Sequence, residues 1–119
     1  MWTVLFDIEF DREFSDLPTD VQDELLAQLA VIRQFGPFAK RPRVDTLKGS
    51  KHANMKELRF EADGGVWRVA FAFDPNRQGI VLVAGDKSGI GKNRFYKRLI
   101  EQADERFDAH LARLQKLKR

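Results

Sequence analysis

With 119 residues, 43% of them apolar and ten of them Phe, the chain can fill one domain around a single core. That excludes a disordered polymer, and no apolar run reaches the ~20 residues of a membrane span. The net charge of +3 conceals a division, since the first 36 residues carry eight acidic and two basic side chains, Lys40–Arg59 seven basic and two acidic, and Lys87–Arg98 five basic and none acidic.

Taken in chain order, Met1–Glu9 turns acidic at once and lacks the positive leader and cleavage site of a secretory signal, so a cytoplasmic chain is expected. Trp2, Val4 and Phe6 alternate with Thr3, Leu5 and Asp7, as in a strand with one face more deeply buried. Asp11–Leu17 reads as a short helical turn carrying Phe14, ended by Pro18. Thr19 and Gln22 have the spacing of a capping box, and Val21, Leu25, Leu29, Ile32 and Phe35 share one helical stripe up to the Gly36-Pro37 stop. Phe38–Met55, broken by Pro42 and Gly49, reads as an ordered basic loop.

Lys56–Ala62 then alternates, with Leu58 and Phe60 on one face and Glu57, Arg59 and Glu61 on the other. Gly64-Gly65 makes a turn into Val66–Asp74, where Trp67, Val69, Phe71 and Phe73 oppose Arg68, Ala70 and Ala72. After a second turn, Ile80–Ala84 is continuously apolar, which predicts an inner strand buried on both sides. Short connections make the last three strands an antiparallel meander. Beyond the Gly85–Gly91 loop, Phe95, Leu99, Ala103, Phe107, Leu111 and Leu114 mark a long amphipathic helix. The expectation is a single α+β domain over residues 1–119: a mainly antiparallel sheet of about four strands, an N-terminal helical hairpin and a C-terminal helix.

The charge division fits a protein with one side turned to a polyanion and another free for a different partner. Zero cysteines exclude disulfides and thiolate chemistry, and His52 and His110 lie too far apart to make a local metal motif, so neither metal nor cofactor is expected. Arg59 and Arg68 share a strand face with the small Ala70 and Ala72, which leaves room above the sheet for two guanidiniums matched to phosphate oxygens. Lys48, Lys51, His52 and Lys56 arrive from the preceding loop, Lys87 from the end of the last strand, and Lys92, Arg94, Tyr96, Lys97 and Arg98 from the final helix. Such a shallow basic surface suits a polymer backbone. Each charge alone is more simply a solvated side chain, Glu57 a partner of Arg59 or Arg68, and Tyr96 a core residue; the convergence of three segments favours a site. The Gly85–Asn93 loop lacks the spacing of a nucleotide-binding phosphate loop, because Asp86 stands where its first Gly belongs and Asn93 replaces the hydroxyl.

Leu47-Lys48-Gly49, Lys56-Glu57-Leu58-Arg59-Phe60, Gly64-Gly65-Val66-Trp67-Arg68-Val69 and Gly85-Asp86-Lys87 together resemble the RelE/ParE superfamily of bacterial toxins, and within it the phage-related HigB-type branch. The resemblance spans nearly the whole chain. It implies a RelE-like fold and a ribosome-dependent endoribonuclease that cuts messenger RNA without a metal. The substrate's 2′-OH would attack the neighbouring phosphodiester, with Arg59, Arg68 and Lys87 as the surrounding cations. Proton transfer would fall to His52, Tyr96, Glu57 or a lysine, and Lys48, Lys51, Lys56, Lys92, Arg94, Lys97 and Arg98 would hold RNA. The implied partners are a cognate antitoxin of helix-turn-helix type, messenger RNA and the ribosome, with operator DNA reached only through the antitoxin and no membrane. This chain departs from histidine-dependent relatives in having Asp86-Lys87, and no His, near the end of its last strand. The alternatives are a non-catalytic, ParE-like inhibitor of a protein target such as DNA gyrase, and an inactive RNA-binding module or antitoxin-bound structural remnant.

Overall fold

In the computed structural model of the chain, which describes residues 1–118, the N-terminal alternation becomes strand β1 (Thr3–Phe6) and ends at Asp7. The Asp7 carboxylate accepts hydrogen bonds from the backbone N–H groups of Glu9 (3.0 Å) and Phe10 (3.2 Å). This cap starts helix α1 (Ile8–Phe14) ahead of the expected Asp11, because Asp7 serves the helix end and not the strand face. Helix α2 (Thr19–Phe35) begins where expected, yet the capping box does not form. Pro18 holds the cap position, and the Gln22 amide reaches back to the carbonyls of Leu17 (2.9 Å) and Ser15 (3.3 Å), securing the corner between the helices.

Val21, Leu25, Leu29 and Ile32 bury the α2 stripe, whereas Phe35 is half exposed. Gly36, at φ +57°, turns the chain there into a single 3-10 turn, Gly36–Phe38. Only glycine fits, since a Cβ would stand 2.4 Å from the Trp2 indole.

The expected four strands are five. Val44–Thr46, within the supposed loop, forms β2, antiparallel to β3 (Lys56–Ala62) with Val44 opposite Leu58. Three residues are too few for alternation to show. Strands β4 (Gly65–Phe73) and β5 (Gln78–Asp86) complete the antiparallel meander, and β1 pairs with β5 in parallel, giving the order β1-β5-β4-β3-β2. Helix α3 (Lys92–Leu117) closes the fold.

Each face of the sheet has its own core. Leu58, Trp67, Val69 and Phe71 pack beneath Phe10 and the α2 stripe. Ala70, Ala72, Ile80 and Leu82 take the α3 stripe of Phe95, Leu99, Ala103 and Phe107. The alanines therefore leave no open space above the sheet, contrary to expectation. Their small size lets α3 lie against β4, and each large side chain it buries contributes ~1.5–3 kcal/mol. A bulge in β5 adds to this: Val81 faces Phe71 and Val83 faces Ala70, so Leu82 is the extra residue and turns with Val83 towards α3. The Leu82 carbonyl accepts a 2.8 Å hydrogen bond from Arg106, whose guanidinium also grips Glu13 at 2.7 and 2.8 Å, so one side chain joins α1, β5 and α3. Among the described residues no helix is long and apolar enough to cross a membrane.

Candidate functional site

Where α3 begins, it leaves the β3–β2 side of the sheet uncovered, and a cleft of about 390 Å³ opens there. The sheet contributes Glu57 and Arg59 from β3, and Lys87 just beyond β5; α3 contributes Lys92, Asn93 and Tyr96. The β3–β4 register sets Arg59 directly opposite Arg68, an arrangement that repels. Glu57 offsets it. Its Oε1 lies 3.5 Å from Arg68 Nε and 3.9 Å from Arg59 Nε, and accepts a 2.8 Å hydrogen bond from the Tyr96 hydroxyl. Arg68 Nε donates in turn to Tyr96 Oη (3.3 Å), and its Nη1 to the Trp67 carbonyl (2.9 Å).

Glu57 and Arg68 are 7% and 8% exposed, so this is an ion pair largely withdrawn from water. Such pairs are weak devices for stability and good ones for holding a geometry. Burial, then the hydrogen bond to Glu57, pushes the Tyr96 phenol above its usual range and keeps it protonated. Desolvation, then the neighbouring charges of Arg68, Arg59 and Lys92, holds the Lys87 ammonium below the usual lysine range. Lys87 is fixed by its backbone, which donates to the Val66 carbonyl at 2.8 Å, while Asp86 ties the loop through the N–H groups of Val66 and Ser88. Helix α3 starts at Gly91 with no side-chain cap and no acidic residue in its first turn. Its free N–H groups and positive dipole end thus add to the charge of Lys92.

Of the expected site residues, Arg59, Lys87, Glu57, Tyr96, Lys48 and Lys92 line this cleft. Arg68 lies behind them and supports Glu57 and Tyr96. His52 is elsewhere: its Nε2 pairs with Asp108 Oδ1 at 2.8 Å and its ring meets Phe107 edge-on, which places it against the middle of α3. Lys51 pairs with the same Asp108. Lys56 sits between Thr46 and Phe71 in the sheet, outside the cleft, and Arg94 and Lys97 are exposed on α3. Arg98 borders a separate shallow pocket beside Phe95 and Gln102. The sequence reading missed Arg41 and Asn93, which also line the cleft. Asn93 was detectable, because it lies three residues before Tyr96 and so on the same helical face.

A sequence model of the family described as Phage derived protein Gp49-like (DUF891) matches residues 12–108, which include every side chain of the cleft. The chain belongs to the Gp49-like family. Two Mycobacterium tuberculosis proteins resemble this Gp49-like chain. One, named as toxin HigB2, is 40% identical over 119 residues, covering 98% of this chain and 58% of its own length. The other, named as toxin HigB3, is 39% identical over 104 residues, 87% of this chain and 89% of its own. The chain thus spans little more than half of the HigB2 relative. Among solved structures, a double arginine-to-alanine mutant of Escherichia coli toxin RelE in the free state superposes with a TM-score of 0.61 at 15% identity, over 88% of this chain and 96% of that one. At that identity the likeness concerns the fold. The RelE/ParE resemblance and its HigB-type branch are borne out, as is the α+β architecture.

Proposed function

We propose that this Gp49-like chain is the toxin of a toxin–antitoxin pair and an endoribonuclease acting on messenger RNA at the ribosome, in the cytoplasm. What supports this reading is one cleft that joins a buried carboxylate to cations from three separate segments: Glu57 beside Arg59, Lys87 and Lys92. Such a cleft suits a phosphodiester undergoing in-line attack by the substrate's own 2′-OH. Glu57 Oε1 is engaged by Tyr96 and the arginines, leaving Oε2 to take the 2′-OH proton as that oxygen bonds to phosphorus. As the bond from phosphorus to O5′ breaks, Lys87, with its lowered pKa, gives its proton to the departing oxygen. Arg59 and Lys92 neutralise the phosphorane between these events. The products are a 2′,3′-cyclic phosphate and a 5′-OH. Tyr96 and Arg68 position the base. The cleft is shallow and offers little to read bases with, so the ribosome would supply the alignment.

The reading is tested by inducing the chain in growing cells. Incorporation of labelled amino acids should stop within minutes with the wild type and continue with Lys87→Ala. Continued translation alongside inhibited DNA supercoiling would instead point to a gyrase-type target.

A further inference from the structure

Between β2 and β3 the chain closes on itself, with Leu47 N donating to the Met55 carbonyl at 2.9 Å and both side chains buried. Of the residues enclosed, Lys48–Asn54, none is buried. Asn54 Nδ2 makes one long hydrogen bond to the Phe73 carbonyl (3.4 Å), and the firmer anchors are on α3. Ser50 Oγ donates to Asp104 Oδ1 (2.5 Å) and Lys51 N to Asp104 Oδ2 (3.2 Å). One helical turn on, Asp108 pairs with the Lys51 ammonium, and its Oδ1 lies 2.8 Å from His52 Nε2. Gly49, at φ +99°, lets the loop lie close to the helix, since a Cβ would stand 3.2 Å from Ile100 Cδ1.

The loop begins at the cleft. Thr46, Leu47 and Lys48 form one wall of it, and Lys92, Asn93 and Tyr96 of α3 the other. The contacts with Asp104 and Asp108 therefore tie the two walls together, starting about 12 Å along the helix from Tyr96. We propose that Lys48–Asn54 is a strap that holds Lys48 at the cleft, and that Asp104 and Asp108 are positioning residues for RNA, acting through Ser50, Lys51 and His52. These anchors are polar and partly open to water, so the strap can open without disturbing the core on either side of the sheet. Opening leaves Lys48 on a loose loop, and ordering it again costs entropy that a bound phosphate must offset. Glu57, Lys87 and Tyr96 stay where they are, so the loss falls on binding and not on the chemical step. The strap also explains how two carboxylates stand one turn apart on α3 without net repulsion. Lys51, helped by His52, holds the Asp108 carboxyl below the usual carboxylate range. The strap stands on its contacts alone; its part in holding RNA rests on the nuclease reading.

The test compares Asp104→Asn with Asp108→Asn in one chain against Glu101→Gln with Glu105→Gln in another. Both pairs remove the same charge from the same stretch of α3, but Glu101 and Glu105 are exposed and anchor nothing in the loop. Less negative charge near a cationic cleft should by itself tighten RNA binding, so the two effects differ in sign. The probe is a short single-stranded RNA, 2′-O-methylated so that it cannot be cut. The asparagine pair should bind it about fivefold more weakly than the wild type, and the glutamine pair no more weakly than the wild type. In cleavage of unmodified RNA, the asparagine pair should raise KM about fivefold and leave kcat within about twofold. Trypsin should cut after Lys48 or Lys51 at least about tenfold faster in the asparagine pair. Ser50→Ala, which changes no charge, should give the same losses in smaller measure and decides the matter if the asparagine pair fails to fold. Trypsin sensitivity equal to the wild type, or RNA binding as tight as that of the glutamine pair, overturns the proposal. If the wild type binds no RNA while the asparagine pair is still cut faster, the nuclease reading fails and the strap stands.

Discussion

Glu57 sits between two arginines that face each other across a strand pair, and the consequences differ residue by residue. Removing Arg68 leaves a buried carboxylate without its closest cation, so Arg68→Ala should lower folding stability by about 3 kcal/mol as well as abolish cleavage. Lys87 makes no salt bridge among the described residues, and Lys87→Ala should abolish cleavage while moving stability by less than about 0.5 kcal/mol. Urea melts of the two variants separate these roles; equal destabilisation would contradict them. A pH profile tests Lys87 as the acid. A lysine donates only while protonated, so cleavage should decline as pH rises through its depressed pKa. Arg59 helps depress that pKa, so Arg59→Gln should move the alkaline limb to higher pH even as the rate falls. A limb that stays put or moves lower would remove Lys87 from proton transfer. The grouping of Glu57, Arg59 and Arg68 was legible in the sequence, because alternation and the tight Gly64-Gly65 turn fix the β3–β4 register. The withdrawal of Arg68 from the surface was not, since it depends on where α3 settles over Ala70. Nor was the placement of His52, which lies in a stretch without periodicity and is held by Asp108, far along the chain.

At the scale of elements, helix α3 carries an arrangement that opposes its own stability. Lys92 and Arg94 occupy its first turn, where the dipole favours carboxylates. Lys92→Glu should therefore stabilise the fold by about 0.5–1 kcal/mol while abolishing cleavage, a stability gain at the expense of function. Unchanged or lower stability would mean the helix end is not where the charge acts. Arg106 shows the opposite logic, spanning α1, β5 and α3. Arg106→Ala leaves the Leu82 carbonyl at the bulge without its partner and should cost about 2 kcal/mol in a denaturant melt, with the cleft chemistry unaltered at low temperature. Elements long enough to express a period, namely α2, β3, β4 and α3, were readable from the sequence. The bulge, the parallel β1–β5 pairing and three-residue β2 were not, because each depends on partners distant in the chain.

For the whole molecule, the charge division first seen along the sequence becomes a division in space. Basic side chains from Arg41, Lys48, Arg59, Lys87 and Lys92 gather at one cleft, while most of the carboxylates of the first 36 residues lie on α1 and α2. Binding of a single-stranded RNA should then weaken steeply with salt, by about 0.7 logarithmic units per phosphate contacted for each tenfold rise in salt. Affinity indifferent to salt would mean the cleft is not the RNA surface. The most direct test of the central claim is the chemistry of the cut ends. After induction, ribosome-associated transcripts should carry new 2′,3′-cyclic phosphates and 5′-OH ends with the wild type and not with Lys87→Ala. Intact transcripts in inhibited cells, or ends bearing 5′-phosphates, would contradict the account.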